Sequence, residues 1–204
     1  MTSAWDDARR AFADAAAWFV GTTALARGRW GEAGLGEWDV RALAGHTSRS
    51  LLTVEAYLAR PADAVEIGSA VEYFRATSAM AAGAAVAERG REAGAALGDE
   101  PAASVAEIAR RVLALVGSTD GSELVTTIVG GMRLADYLPT RTFELAVHTA
   151  DLATALGIAP DVPATAAAEA LRLVADLAVS GGRAGPLLLA ATGRPGLPPG
   201  FSVL

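Results

Sequence analysis

Arg141-Thr-Phe-Glu144-Leu-Ala-Val-His148-Thr-Ala-Asp151-Leu152 lies inside a longer helical pattern, 134–156, that stops at Gly157. At about 100° per residue, Arg141, Glu144, His148 and Asp151 fall on the same side as Leu145, Leu152 and Ala155. Four ionisable groups therefore share the apolar face of one helix. Such a face packs against other helices, and an uncompensated charge on it costs several kcal/mol. Two arrangements compensate these charges. One is a buried ion-pair network, Arg141 with Glu144 and His148 with Asp151. The other is a metal site: Glu144 and His148 stand four residues apart, roughly 5–6 Å at Cβ, so they can share an ion. Asp151 would then orient an imidazole. A histidine from elsewhere would complete a three-ligand set with one position open.

The chain has two histidines. The other lies in Trp38-Asp-Val-Arg-Ala-Leu-Ala-Gly45-His46-Thr-Ser-Arg49. On a helix starting near Asp39 and stopped by Pro61, His46, Arg49, Ser50, Thr53 and Tyr57 form a polar stripe beside the apolar face of Val40, Leu43, Leu51, Val54 and Leu58. That stripe is either solvated or the wall of a pocket. Gly45 inside the helix costs about 1 kcal/mol relative to alanine, which close backbone approach would justify.

Outward from these two segments the pattern is helical. Residues 5–27 read as a first helix, 69–90 as a third segment and 102–116 as a fourth. Gly94 to Pro101 reads as loop, and 164–179 as a further helix. Leu124-Val-Thr-Thr-Ile-Val is β-branched and reads as one strand or a buried extended stretch. Pro139 predicts a kink in the 134–156 helix, or a start nearer residue 140. The apolar piece 186–191 is expected to pack back on the bundle. The division expected is a helical bundle over 1–160, with a C-terminal helix and extension over 161–204 packed on it.

Alanine dominates the 52% hydrophobic content, while aromatics are 6%. This composition favours helix. The net charge is −6, with arginine as the sole basic type and no basic stripe, which argues against a nucleic-acid partner. No apolar run reaches the ~20 residues that span a bilayer. Met1-Thr-Ser-Ala-Trp-Asp-Asp lacks the features of a signal peptide, so a cytoplasmic location and no membrane partner are expected. With no cysteine, the chain has no thiol of its own.

The two quoted segments resemble those of DinB-like metalloproteins, and more narrowly the mycothiol-dependent maleylpyruvate isomerase branch. Trp38–Arg49 is similar to its "W-x-V-x-D/A-L-x-x-H-x-x-R" and Arg141–Gly157 to its "R-x-x-E-x-x-x-H-x-x-D-L-A-x-A-x-G". Leu188–Arg194 and Gly200–Leu204 are also similar to single-domain members. Glu32-Ala-Gly-Leu-Gly-Glu-Trp38 departs from the usual "P-T-P-C-P-G-W" lead-in.

The resemblance implies an all-α fold, a four-helix bundle with a short C-terminal extension and room for one or two short strands. It implies a divalent metal, usually zinc, on His46, Glu144 and His148, and mycothiol or a similar thiol as cosubstrate. The activity implied is thiol-dependent isomerisation, or S-transfer to an electrophilic substrate. Asp151, Arg49 and Tyr57 are the residues for orienting, anion-binding and proton-donating roles. Arg141, Arg183 and Arg194 are candidates for substrate binding, the last two because two-domain relatives draw an arginine from a longer C-terminal region. A metal-dependent hydrolase, a non-catalytic metal-binding stress protein and an iron site remain alternatives. A monomer or homodimer is expected.

Overall fold

In a computed structural model of the chain, residues 3–78, 84–194 and 196–204 are described. The fold is mainly helical. Helices α1 (Ala4–Ala24), α2 (Val40–Leu58), α5 (Pro101–Gly117) and α6 (Leu134–Ala155) form a four-helix bundle in which α1 and α2 each pack against both α5 and α6. Helix α4 (Ala84–Ala96) packs outside on α2. Helix α7 (Ala164–Ser180) covers α1 and α6, and α3 (Ala70–Thr77) leans on α6 and α7. The bundle closes around Phe12, Phe19, Leu43, Leu51, Val54, Leu134, Leu138, Leu145 and Leu152, all fully buried. No described helix is long and apolar enough to cross a membrane.

Local chemistry places the helix starts. Ser3 and Asp6 form a capping box on α1, each bonding the other's backbone N–H. The Asp39 carboxylate accepts from Ala42 N at 2.7 Å and caps α2, two turns before His46.

Two expectations change, the start of the loop after α4 and the start of α6. Helix α4 continues through Gly90 and Gly94 to Ala96, so the loop expected from Gly94 starts later. Of the segment expected to be helical over 69–90, residues 79–83 lie outside the described residues. The β-branched stretch is half of a hairpin, β1 (Leu124–Thr127) antiparallel to β2 (Gly130–Arg133). The second strand reads Gly-Gly-Met-Arg and carries little strand propensity. Its glycines serve the chain that crosses it: a Cβ on Gly131 would lie 2.0 Å from the Ala64 carbonyl oxygen. Finally, α6 is helical from Leu134 with Pro139 inside it, so it does not start nearer residue 140. Pro139 and Ala135, whose carbonyl loses its helical partner there, both line an open groove between α1 and α7, where water can replace the missing bond.

The C-terminal apolar piece forms α8 (Ala184–Ala191), which contacts α7 but buries none of its residues.

Gly45 has the role its position in a helix suggests. A Cβ there would lie 2.1 Å from Gly94 N, and one on Gly94 would lie 2.8 Å from the Arg41 carbonyl oxygen. Helices α2 and α4 thus meet backbone to backbone. Backbone cannot swing aside as a side chain can, so Gly45→Ala is expected to lower stability by about 3 kcal/mol. Gly21→Ala, in a helix with nothing within 4 Å of the new methyl, should raise it by about 1 kcal/mol. Chemical denaturation of the two variants measures both; equal effects would mean the helices do not touch at Gly45.

Candidate metal centre

Helix α6 carries Glu144, His148 and Asp151 up one side, and α2 brings His46 across from them. The imidazoles of His46 and His148 meet edge to face, with centroids 4.8 Å apart. His46, Glu144 and His148 each offer a donor atom within 4.8 Å of the others. All three are partly buried. This is a group that could hold a metal ion.

His148 is clasped at both nitrogens. Its Nε2 lies 3.1 Å from Glu144 Oε2 and its Nδ1 lies 3.2 Å from Asp151 Oδ2. Burial works to lower its pKa, but the bonds to Asp151 and Glu144 outweigh burial and raise it to about 9. Burial also opposes the charge of Glu144, yet the His148 bond and the Arg141 guanidinium hold its pKa below the ordinary value.

His46 behaves oppositely. Burial first, then the neighbouring His148 charge, push its pKa down to about 4, so it is a neutral imidazole. Its Nδ1 is buried with no hydrogen-bond partner. Trp38 lies against the ring with centroids 4.5 Å apart, and is itself fixed by donating from Nε1 to the Ala87 carbonyl at 2.9 Å. Gly90 leaves room for that indole: a Cβ there would lie 2.5 Å from it. A neutral imidazole with an unused buried nitrogen, facing a carboxylate and a second imidazole, suits a borderline cation such as Zn²⁺.

The ion-pair network anticipated for α6 is half present. His148 pairs with Asp151, but among the described residues Arg141 makes no ion pair. Its Nε donates to Thr140 Oγ1 at 2.9 Å, and its guanidinium lies 5.1 Å from the Tyr137 ring centroid and 5.3 Å from that of Tyr73. Tyr57 joins this group through Tyr137, at 5.3 Å. Arg49 acts on His46 only through its charge. Arg183 and Arg194 lie in the exposed C-terminal region. Arg183 donates to the Ser202 carbonyl, and Arg194 donates to that of Thr192 at 2.9 Å. Sequence reasoning missed Tyr73, because nothing local ties α3 to α6, and Tyr137, although its place four residues before Arg141 on α6 is a spacing that could have found it. Trp38 stood within the quoted motif, but its contact with His46 depends on the turn into α2.

With this geometry in view, comparison with known families is decisive. The model of the mycothiol maleylpyruvate isomerase N-terminal domain matches residues 24–153, more than half of the chain. The chain belongs to that family. The match spans α2 through nearly all of α6, so it includes His46, Glu144, His148 and Asp151. No curated protein and no solved structure matches the chain.

One neighbour of the site carries a defect with a measurable sign. Thr149, next to His148, is fully buried, and its hydroxyl has no partner. Thr47 on α2, by contrast, donates to the Leu43 carbonyl at 2.7 Å. Thr149→Val keeps the shape and removes the stranded hydroxyl, so it should stabilise the chain by about 1 kcal/mol. A thermal or denaturant midpoint that falls instead would mean the hydroxyl has a partner in solution.

Proposed function

We propose that His46, Glu144 and His148 hold one divalent metal ion, with zinc expected first, and that the chain uses it to activate a small thiol, mycothiol or a close analogue, for isomerisation of or transfer to an electrophile. The observation that carries this reading is the neutral His46 with a buried, unpartnered Nδ1, set within donor distance of Glu144 and His148. The absence of cysteine and the family's association with mycothiol support a borrowed thiol. A bound divalent ion would supply Lewis acidity that stabilises a thiolate, which matters because a free thiol with a pKa of about 8.5 is mostly protonated at neutral pH.

The chain's own residues set up that chemistry. Asp151 Oδ2 takes the Nδ1 proton of His148 as a hydrogen bond, which fixes the tautomer and turns Nε2 toward Glu144. Trp38 presses on the His46 ring and limits its rotation. The charge of Arg49 beside His46 favours an anionic partner there. Tyr57, whose ring packs against Tyr137 with centroids 5.3 Å apart, is the phenol proposed as a proton donor.

Two measurements test the assignment. Metal analysis should find one ion per chain, and His148→Ala should bind none. Asp151→Asn should keep the metal but weaken it roughly 10–100-fold. An unchanged affinity would reduce Asp151 to a charge partner of His148.

For the thiol, the cobalt-substituted protein should develop a sulfur-to-metal charge-transfer band on addition of mycothiol or an analogue, with release of a proton to the medium. If no thiol produces the band at high concentration, the activity is hydrolytic or the chain merely binds metal.

A further inference from the structure

Helix α7 has two apolar faces. Ala166, Ala170, Leu173 and Leu177 turn inward and are buried. At about 100° per residue, Ala164, Ala168, Leu171, Ala175 and Val179 fall on the opposite side within roughly 80° of one another. All five are exposed, Leu171 by 66% and Val179 by 70%. A surface helix ordinarily turns polar residues to water, and a helix apolar all round is a buried one. Helix α5 shows the ordinary case: its exposed Glu107, Arg110 and Arg111 all form ion pairs.

Helix α8 extends the same surface. It follows α7 after Gly181 and Gly182 and reads Ala-Gly-Pro-Leu-Leu-Leu-Ala-Ala, without a charge. None of its residues is buried, and Leu188 and Leu189 are 64% and 53% exposed. Helices shorter than about 12–15 residues are marginal in water and depend on packing, which α8 finds only thinly against α7. One chain thus presents a ridge of leucines beside a strip rich in alanine, and covers neither.

We infer that this surface is a two-fold interface between two copies of the chain. An antiparallel pairing of α7 helices centred on Ala175 sets Leu171 of each copy against Val179 of the other, because both stand four residues from the axis. Ala175 is small and lets the helices close there. The α8 leucines of one copy then reach the Ala164–Ala168 half of the other's strip, where small side chains leave room. The charges beside the strip agree with this register. Arg172 of each copy comes within a turn of Asp176 of the other, and among the described residues Asp176 has no basic partner in its own chain, since Arg172 bonds Glu169 there. Taken as cylinders about 10 Å across that rise 1.5 Å per residue, the outer halves of α7 and α8 present roughly 600 Å² per copy. The pair would bury about 1,200 Å², the low end of a specific interface, which fits a reversible dimer with a Kd on the order of 1 μM. A lipid surface fits less well: it would leave Asp176 unpaired, and the net charge of −6 repels anionic headgroups.

The test uses the full chain as purified, followed by sedimentation velocity at concentrations spanning the micromolar range. A reversible monomer–dimer equilibrium is expected. Leu171→Glu should weaken it roughly tenfold or more with helicity unchanged, because the side chain lies outside the bundle core. Asp176→Arg should also weaken it, and adding Arg172→Asp should restore part of the loss. The chain has no cysteine, so a single introduced one reports position. Ala175→Cys should give a disulfide-linked dimer on mild oxidation, whereas Ala114→Cys on the exposed side of α5 should stay monomeric. A monomer at every concentration, undiminished association in Leu171→Glu, or equal cross-linking of the two cysteine variants overturns the interface. Co-sedimentation of a monomeric chain with phosphatidylcholine vesicles overturns it in favour of a lipid surface. None of these readouts involves metal or thiol, so the interface and the proposed function stand or fall separately.

Discussion

Four ionisable side chains share one side of α6, Arg141 buried and Glu144, His148 and Asp151 partly buried, and the rest of the molecule is arranged to make that tolerable. Helix α6 turns Arg141, Glu144, His148 and Asp151 inward along a single stripe, so each must be matched inside the fold. Asp151 and Glu144 match His148 from its two sides. Tyrosine rings from α3 and from α6 itself surround Arg141. His46 completes the stripe from α2 as a neutral group, because a second positive charge beside His148 is driven off by burial and repulsion. The polar interior is thus divided into a cluster of metal-type donors and a cationic cluster that meet at Glu144.

The position of His46 depends on a backbone contact some distance from any charge. Helix α4 approaches α2 at Gly45 and Gly94, closer than any side chain allows. The residue after Gly45 is His46, so the crossing sets both the height and the rotation of α2 where the imidazole leaves it. Gly90, one turn from Gly94 on α4, leaves space for Trp38, whose ring covers His46. Three small residues on two helices therefore position an aromatic lid and a donor. Substitutions there would alter the site without touching any candidate ligand.

Much of this was legible in the residue order. The α6 wheel showed charges on an apolar face, and i,i+4 and i,i+3 spacing brought Glu144 and Asp151 to His148, as the geometry bears out. Gly45 within a helix announced a close approach. Asp39 marked the start of α2, where the structure makes it the cap. What escaped had no local signal. Gly-Gly-Met-Arg reads as a loop until the Pro61–Ile67 segment crosses it and demands glycine. Gly90 and Gly94 read as helix breakers until α2 supplies packing that outweighs their propensity. Pro139 likewise stands inside α6, beside an open groove, where the later of the two starts that proline allowed is not taken.

Periodicity and spacing, which act within a few residues, determined the helices of the bundle, the inward face of α6, and the pairing of His148 with its carboxylates. Family motifs in the sequence pointed to His46 as a third candidate donor, and the fold brings it beside Glu144 and His148. Only the tertiary structure decided that Glu144 serves His148 rather than Arg141, that Arg141 is met by tyrosine rings instead of a carboxylate, and that His46 lies neutral beneath Trp38. The reason is physical. A charge buried in a protein answers to whatever surrounds it in space; α2 brings His46 to His148 from 102 residues away and α3 brings Tyr73 to Arg141 from 68 residues away, beyond any local pattern.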